Sequence, residues 1–177
     1  MDQDGAKGNF GALSQITYDA IRQRTNTYSR VRVNNDKPHD FQFLALYQEN
    51  TGYEIDLDRK ECKKVVLPTA SFRPIAIPDN ATFQGDITIG VVLDAALWTG
   101  EVADPRGGMI YWEGGVTEVG CIPLWEAVYD SNGKGNFFRA NFFNTVIGIP
   151  NPNVFLVPSY CDNAEVVDQS SPHNNWF

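Results

Sequence analysis

Apolar and polar side chains alternate with a period of two through much of this chain, and that alternation constrains its fold more than any other feature. Successive residues of an extended backbone point to opposite faces, so the pattern demands strands with one side on a core. Tyr53, Ile55 and Leu57 fall on one face, with Glu54, Asp56 and Asp58 on the other. Val31 and Val33 likewise oppose Arg30 and Arg32. Between such runs come turn-forming clusters, among them Glu49-Asn50-Thr51-Gly52 and Ser131-Asn132-Gly133-Lys134-Gly135. No segment sustains a 3.6-residue repeat, so the chain reads as a mainly β domain built from a meandering antiparallel sheet.

The pattern predicts strands over residues 12–18, 28–33, 41–47, 53–57, 62–67, 87–93, 109–113, 117–122, 124–129, 137–149 and 154–157. The polar stretch 19–27 reads as a hairpin loop, and 95–102 is ambiguous. Three prolines make 68–78 an extended connection, 103–108 is loop, and 161–168 reads as one or two helical turns. Residues 1–11 form a lead-in and 169–177 a polar tail, on either side of one domain over 12–168. With 177 residues, the chain is long enough for a sizeable core.

A net charge of −8 repels phosphate backbones and argues against nucleic acid as a partner. The longest apolar stretch, 87–98, is interrupted by Asp94, so no transmembrane segment is expected. Met1-Asp2-Gln3-Asp4-Gly5 has neither a basic flank nor an apolar core, so no signal peptide is read in this chain.

Two predicted strands carry apolar groups on both faces. In 41–47, Phe41, Phe43, Ala45 and Tyr47 oppose Leu44 and Leu46; in 137–149, Phe138, Ala140, Phe142 and Val146 oppose Phe137, Phe143, Ile147 and Ile149. A strand in a sheet with one wet face should alternate. These two need a second cover, which is another sheet, a dimer partner or a bound apolar ligand.

No residue pattern points to catalysis. The two histidines, His39 and His173, sit in polar contexts, and no Gly-x-Ser-x-Gly or metal-type Cys/His spacing occurs. Asn80-Ala81-Thr82 fits the N-glycosylation acceptor and lies in a loop. Glu54, Asp56 and Asp58 place three carboxylates about 7 Å apart along one strand face. They are the calcium candidates; the alternative is a solvated face paired with Lys or Arg across the sheet, Arg30 and Arg32 among them. Three cysteines cannot all pair within one chain.

Several short segments occur in a fixed order: Ile16-Thr17-Tyr18-Asp19, Arg30-Val31-Arg32-Val33, Tyr53-Glu54-Ile55-Asp56, Glu61-Cys62-Lys63-Lys64, Ile77-Pro78-Asp79-Asn80-Ala81-Thr82-Phe83, Gly120-Cys121-Ile122-Pro123 and Pro152-Asn153-Val154-Phe155-Leu156-Val157-Pro158-Ser159-Tyr160-Cys161. Together they resemble the ependymin-related proteins over roughly residues 12–165. The resemblance implies two stacked, curved antiparallel sheets forming a half-open hydrophobic pocket, similar to bacterial lipoprotein carriers. It implies a non-enzymatic, secreted or lysosomal glycoprotein and a homodimer. It also implies a lipid or other amphiphile as ligand, with calcium as the only cofactor. The rival expectation is a cell-matrix adhesion or structural protein stabilised by calcium. By the same resemblance Cys62 pairs with Cys161, and Asn80 carries the glycan. Cys121 loses its partner, because the family's N-terminal Cys-x-x-Pro-x-x-Trp opening is absent; it is left as a free thiol or an inter-chain bridge. The pocket candidates are Phe43, Tyr47, Trp98, Trp112, Trp125, Phe138 and Phe142.

Overall fold

A computed structural model describes residues 10–33, 36–69, 71–103, 108–129 and 137–167. It is mainly β, with two open sheets of six and five strands among the described residues. The chain divides into two compact units, the second spanning Arg73–Ile147 and the first comprising the described residues on either side of it.

The first unit holds β1 (Phe10–Asp19), β2 (Arg24–Val33), β3 (His39–Leu46), β4 (Thr51–Asp56), β5 (Glu61–Val66) and β11 (Glu165–Val167). β1 to β5 form the expected antiparallel meander, and β11 then adds to β5 in parallel. The loop read over 19–27 shrinks to residues 20–23, because Asp19 closes a tight turn. Its carboxylate accepts from the Arg22 backbone N–H at 3.1 Å and from Arg24 Nε at 2.9 Å. β1 starts at Phe10, inside the expected lead-in; residues 1–9 and 168–177 lie outside the described residues.

Both faces of β3 are covered, and within this unit the covers are different. Leu44 and Ala45, neighbours on opposite faces, are each fully buried. On the Ala45 face, Phe43 and Tyr47 pack against Ala45, Val65 and Leu67. Phe72 extends this cluster, stacked on Tyr18 at 5.7 Å and edge-on to Tyr47 at 5.2 Å. Gly52 belongs here too: a Cβ on it would meet Val65 Cγ2 at 2.8 Å, so only glycine lets Val65 and Phe43 close over β4. The opposite face carries Leu44, Ile55, Asn26 and Gln42, with Gln42 Nε2 donating to Asn26 Oδ1 at 3.0 Å. The segment after Gly148 straps over the sheet. Phe155 is buried under the Arg24 guanidinium, 4.1 Å from its ring centre, and Cys161 bonds to Cys62 of β5.

That strap corrects two expectations. Residues 154–157 do not form a strand; Pro152–Phe155 is a 3-10 turn whose start is capped by Asn151, with Pro152 fixing its first φ. The region 161–168 contributes the end of a second 3-10 turn, Ser159–Cys161, and then β11 rather than further helix. The disulfide sets Cys161 beside β5 and delivers the next residues to its free edge.

The second unit is a meander of β6 (Thr82–Ile89), β7 (Leu93–Ala103), β8 (Met109–Thr117), β9 (Pro123–Tyr129) and β10 (Phe137–Asn141), in the order β10-β9-β8-β7-β6. The ambiguous 95–102 is strand. Of the strand read at 87–93, residues 87–89 end β6 and Leu93 begins β7, but the chain turns between them through Gly90 to Val92. The strand read at 117–122 keeps only Thr117, the last residue of β8, and 118–122 is a turn. Gly120 and Cys121 take φ of 84° and 49°, and Thr117 Oγ1 accepts from the Ile122 N–H at 3.0 Å. The long strand read over 137–149 stops at Asn141. Beyond it Asn144 and Gly148 adopt positive φ (55° and 100°), which strand geometry does not accommodate. The turn read over 131–135 lies outside the described residues.

Candidate functional site

The expected site residues fall into both units. Phe43 and Tyr47 belong to the first unit's core cluster. Trp98, Trp112 and Trp125 belong to the second, and strand register places them on two faces of its sheet.

Trp98 on β7 pairs with Gly114 on β8, which pairs with Glu126 on β9. One step along, Gly100, Trp112 and Val128 form the parallel row. Directly opposed residues share a face, so Trp98, Trp112, Glu126 and Val128 lie together. Phe83 of β6 packs edge-on to Trp98 at 5.4 Å. Trp125 pairs with Gly115 and belongs to the other face. There the Arg139 guanidinium lies 4.9 Å over its ring, while Tyr129 donates a short hydrogen bond to Glu113. Phe138 pairs by backbone with Val128; its side chain lies outside the described set. Phe142, just past β10, is half-buried, and its N–H donates to Leu124 O at 2.8 Å.

Consecutive glycines make this two-faced arrangement possible. A Cβ at Gly114 would stand 2.5 Å from Trp112 Cζ2, and one at Gly115 would stand 2.5 Å from Trp125 Nε1. Each indole occupies the volume a side chain would need. β8 therefore runs on through Gly114-Gly115, a dipeptide at which the sequence reading had ended the strand.

Register sets Asp86 and Asp94 on the Trp98–Trp112 face alongside Glu126, opposite Ala96 and Thr88, and both are exposed. Glu126 is half-buried, and its carboxylate accepts a long bond from Trp112 Nε1, 3.4 Å. Burial pushes this carboxyl above the usual range, and the Trp112 bond opposes the shift only in part. Trp98 Nε1 is buried with no hydrogen-bond partner. A buried N–H left unpaired costs about 1–3 kcal/mol, so the face holds an unsatisfied donor and an under-satisfied acceptor among aromatic rings. Sequence reasoning singled out the tryptophans but missed Glu126, one of 22 acids; only its register opposite Gly114 sets it apart.

The remaining calls are placed as follows. Cys62 and Cys161 form a disulfide with Cα atoms 5.3 Å apart, and Cys121 is an exposed free thiol. Asn80 is exposed in the loop before β6. Glu54 pairs in register with Lys63. Asp56 accepts from the Arg59 N–H at 2.9 Å, and Asp58 from the Asp40 N–H at 3.2 Å. Arg30 pairs with Asp40, at 2.7 Å, rather than with these acids. Among the described residues, no three His, Cys, Asp or Glu side chains come together as a metal site, and no helix is long and apolar enough to cross a membrane.

The sequence also matches known proteins. The family model for ependymin matches residues 35–161. Mammalian ependymin-related protein 1 of Mus musculus is 29% identical over 85% of this chain and 66% of its own length. Ependymin-1 of Oncorhynchus mykiss and ependymin of Esox lucius are each 25% identical over 96% of this chain, which covers 76% and 75% of them. With the family model spanning well over half of its length, the chain belongs to the ependymin family.

Proposed function

We propose that this chain is an extracellular, non-enzymatic binding protein that sequesters a lipid or similar amphiphile on the tryptophan-bearing face of its second sheet. The observation that carries the reading is the pair of polar groups among aromatic rings on that face: a buried Trp98 N–H without a partner, and a half-buried Glu126 held only by a long bond from Trp112, with Phe83 and Val128 beside them. Apolar sites with a few convergent polar groups are the usual form of small-molecule sites. An acyl chain gains about 0.8 kcal/mol per buried methylene, partly offset by lost ligand freedom, which leaves micromolar affinity as the working expectation. The Cys62–Cys161 bond supports an oxidising, extracellular or lysosomal setting, and Asn80 is accessible for a glycan there. A homodimer is part of the proposal. Calcium enters it as a stabiliser of a chain carrying −8 charge.

Native mass spectrometry of the secreted protein, followed by denaturation and extraction, tests the reading. Stoichiometric lipid supports it. A protein that arrives lipid-free and takes up none when challenged refutes it. That result favours the second reading, surface-mediated adhesion, for which the exposed hairpin-tip residues Val91 and Val92 (91% and 88%) and Val119 in the β8–β9 turn are the supporting observation.

A further inference from the structure

The second sheet gathers three apolar tips at one of its ends. Successive strands of this meander run antiparallel, so alternate connections fall at the same end. The β6–β7 hairpin tip, the β8–β9 turn and the exit from β10 therefore lie together. Glu118 of the turn donates its N–H to Asp94 O of β7 at 3.1 Å, and Phe142 at the exit donates to Leu124 O of β9 at 2.8 Å. Each tip carries apolar side chains into solvent: Val91 and Val92 are 91% and 88% exposed, Val119 87% and Phe143 65%. The hairpin tip projects. β8 ends at Thr117, opposite Ala95, and Leu93 already lies two residues, about 7 Å, beyond that level. From Ile89 to Leu93 the tip has no polar side chain. The β8–β9 turn turns its polar groups inward. The Thr117 hydroxyl donates to Val119 O at 2.7 Å and accepts from the Ile122 N–H at 3.0 Å. Backbone groups bonded within the protein are what entry into an apolar medium requires.

We propose that this end of the second sheet docks on a zwitterionic lipid bilayer, sinking Val91, Val92, Val119 and Phe143 to the boundary between head groups and acyl chains. Size and charge decide the occupant. A stable protein interface takes about 20–30 residues a side, whereas here four apolar side chains stand on three separate tips. A bilayer needs no complementary shape, and its hold on such tips scales with the apolar area they bury. The segments that build this end, 84–98, 114–126 and 140–147, hold Asp86, Asp94, Glu118 and Glu126 but no Lys or Arg. An anionic membrane surface attracts basic segments and repels acidic ones, so a net-neutral surface is the one that fits. Docking goes beyond the sequestration reading and does not depend on it.

Sedimentation of the full chain with phosphatidylcholine vesicles tests the docking end. Wild-type protein is expected to partition onto them, to stay bound when salt is added, and to bind less when phosphatidylserine is included. Val91→Ser combined with Val92→Ser should weaken partitioning at least about tenfold, since full burial of a single valine is already worth that factor. Val119→Ser should weaken it by less. Ile21→Ser is the control. It removes a similarly exposed apolar side chain (90%) from the β1–β2 turn of the first unit and should change nothing. Melting curves establish that the variants are folded. Three results overturn the proposal: no partitioning of the wild type, partitioning that requires phosphatidylserine, or a valine double variant that partitions like wild type. Loss of self-association in that double variant, with vesicle binding unchanged, also overturns it and assigns the tips to a second copy of the chain. Lipid extraction from the secreted protein is read separately, so sequestration stands or falls on its own result.

Discussion

Replacing both disulfide cysteines, Cys62→Ala with Cys161→Ala, tests how the first unit is held together. The bond closes a loop with a sequence separation of 99. In the chain-entropy description, removing a cross-link over a loop of that size returns about 4.7 kcal/mol of freedom to the unfolded state. The strap it anchors also covers the sheet: Phe155 and Cys161 are buried against it, over the side that carries Leu44 and Ile55. Alanine keeps an apolar atom at each site, so the entropic part dominates the change. For a chain of this size, each kcal/mol moves the melting temperature by roughly 2–4 °C, so the variant should melt about 10–19 °C lower. Differential scanning calorimetry in oxidising buffer measures this directly. Hydrogen exchange should add that β5 and β11 lose protection before β2 and β3, because the strap leaves the β5 edge first. A variant melting within about 2 °C of wild type would refute the claim that this covalent strap is a principal stabiliser.

Three further outcomes follow from the second sheet and the first turn. Gly114→Ala sets a methyl 2.5 Å from Trp112, and overpacking of this kind should cost about 1–3 kcal/mol and shift tryptophan emission, read by urea titration. Glu126→Gln should change the pH dependence of stability with an unusual sign. Because the folded carboxyl titrates above its unfolded value, wild type and variant are equally stable below about pH 4, and wild type falls behind as pH rises through the folded pKa. Equal stabilities at pH 7 would contradict the burial assigned to Glu126. Asp19 behaves oppositely. The Arg22 backbone N–H and then the Arg24 side chain hold its carboxyl below the ordinary value, so its contribution is present above about pH 4 and lost as pH falls further; Asp19→Asn should therefore flatten the acid limb of a melting-temperature profile.

Period-two alternation carried most of the first sheet, because each of β1 to β5 has a side on the core and short polar turns between. It over-extended where β-forming residues occupy turns. Val91 and Val92 read as strand yet sit at a hairpin tip, and the apolar run after Asn141 is irregular. It stopped short at Gly114-Gly115, since glycine in a strand makes sense only once two indoles from Trp112 and Trp125 are seen in the space of the missing side chains. The parallel strand β11 had no local signal: its place beside β5 depends on a disulfide between residues 99 apart in sequence. The double-sided apolar pattern of β3 was legible, but not its cause. One cover is the C-terminal strap and the other the Tyr47–Phe72 cluster, both long-range. For the site, the tryptophans were visible as residues but their faces were not, since Trp112 and Trp125 are separated by register alone.

Contact quenching of tryptophan by a monoacylglycerol with a brominated acyl chain tests the binding face most directly. The account predicts saturable quenching that diminishes in Trp98→Phe and in Trp112→Phe and persists undiminished in Trp125→Phe. Quenching that depends on Trp125, or no quenching at lipid concentrations that saturate binding, would contradict the assignment of the ligand to the Trp98–Trp112 face.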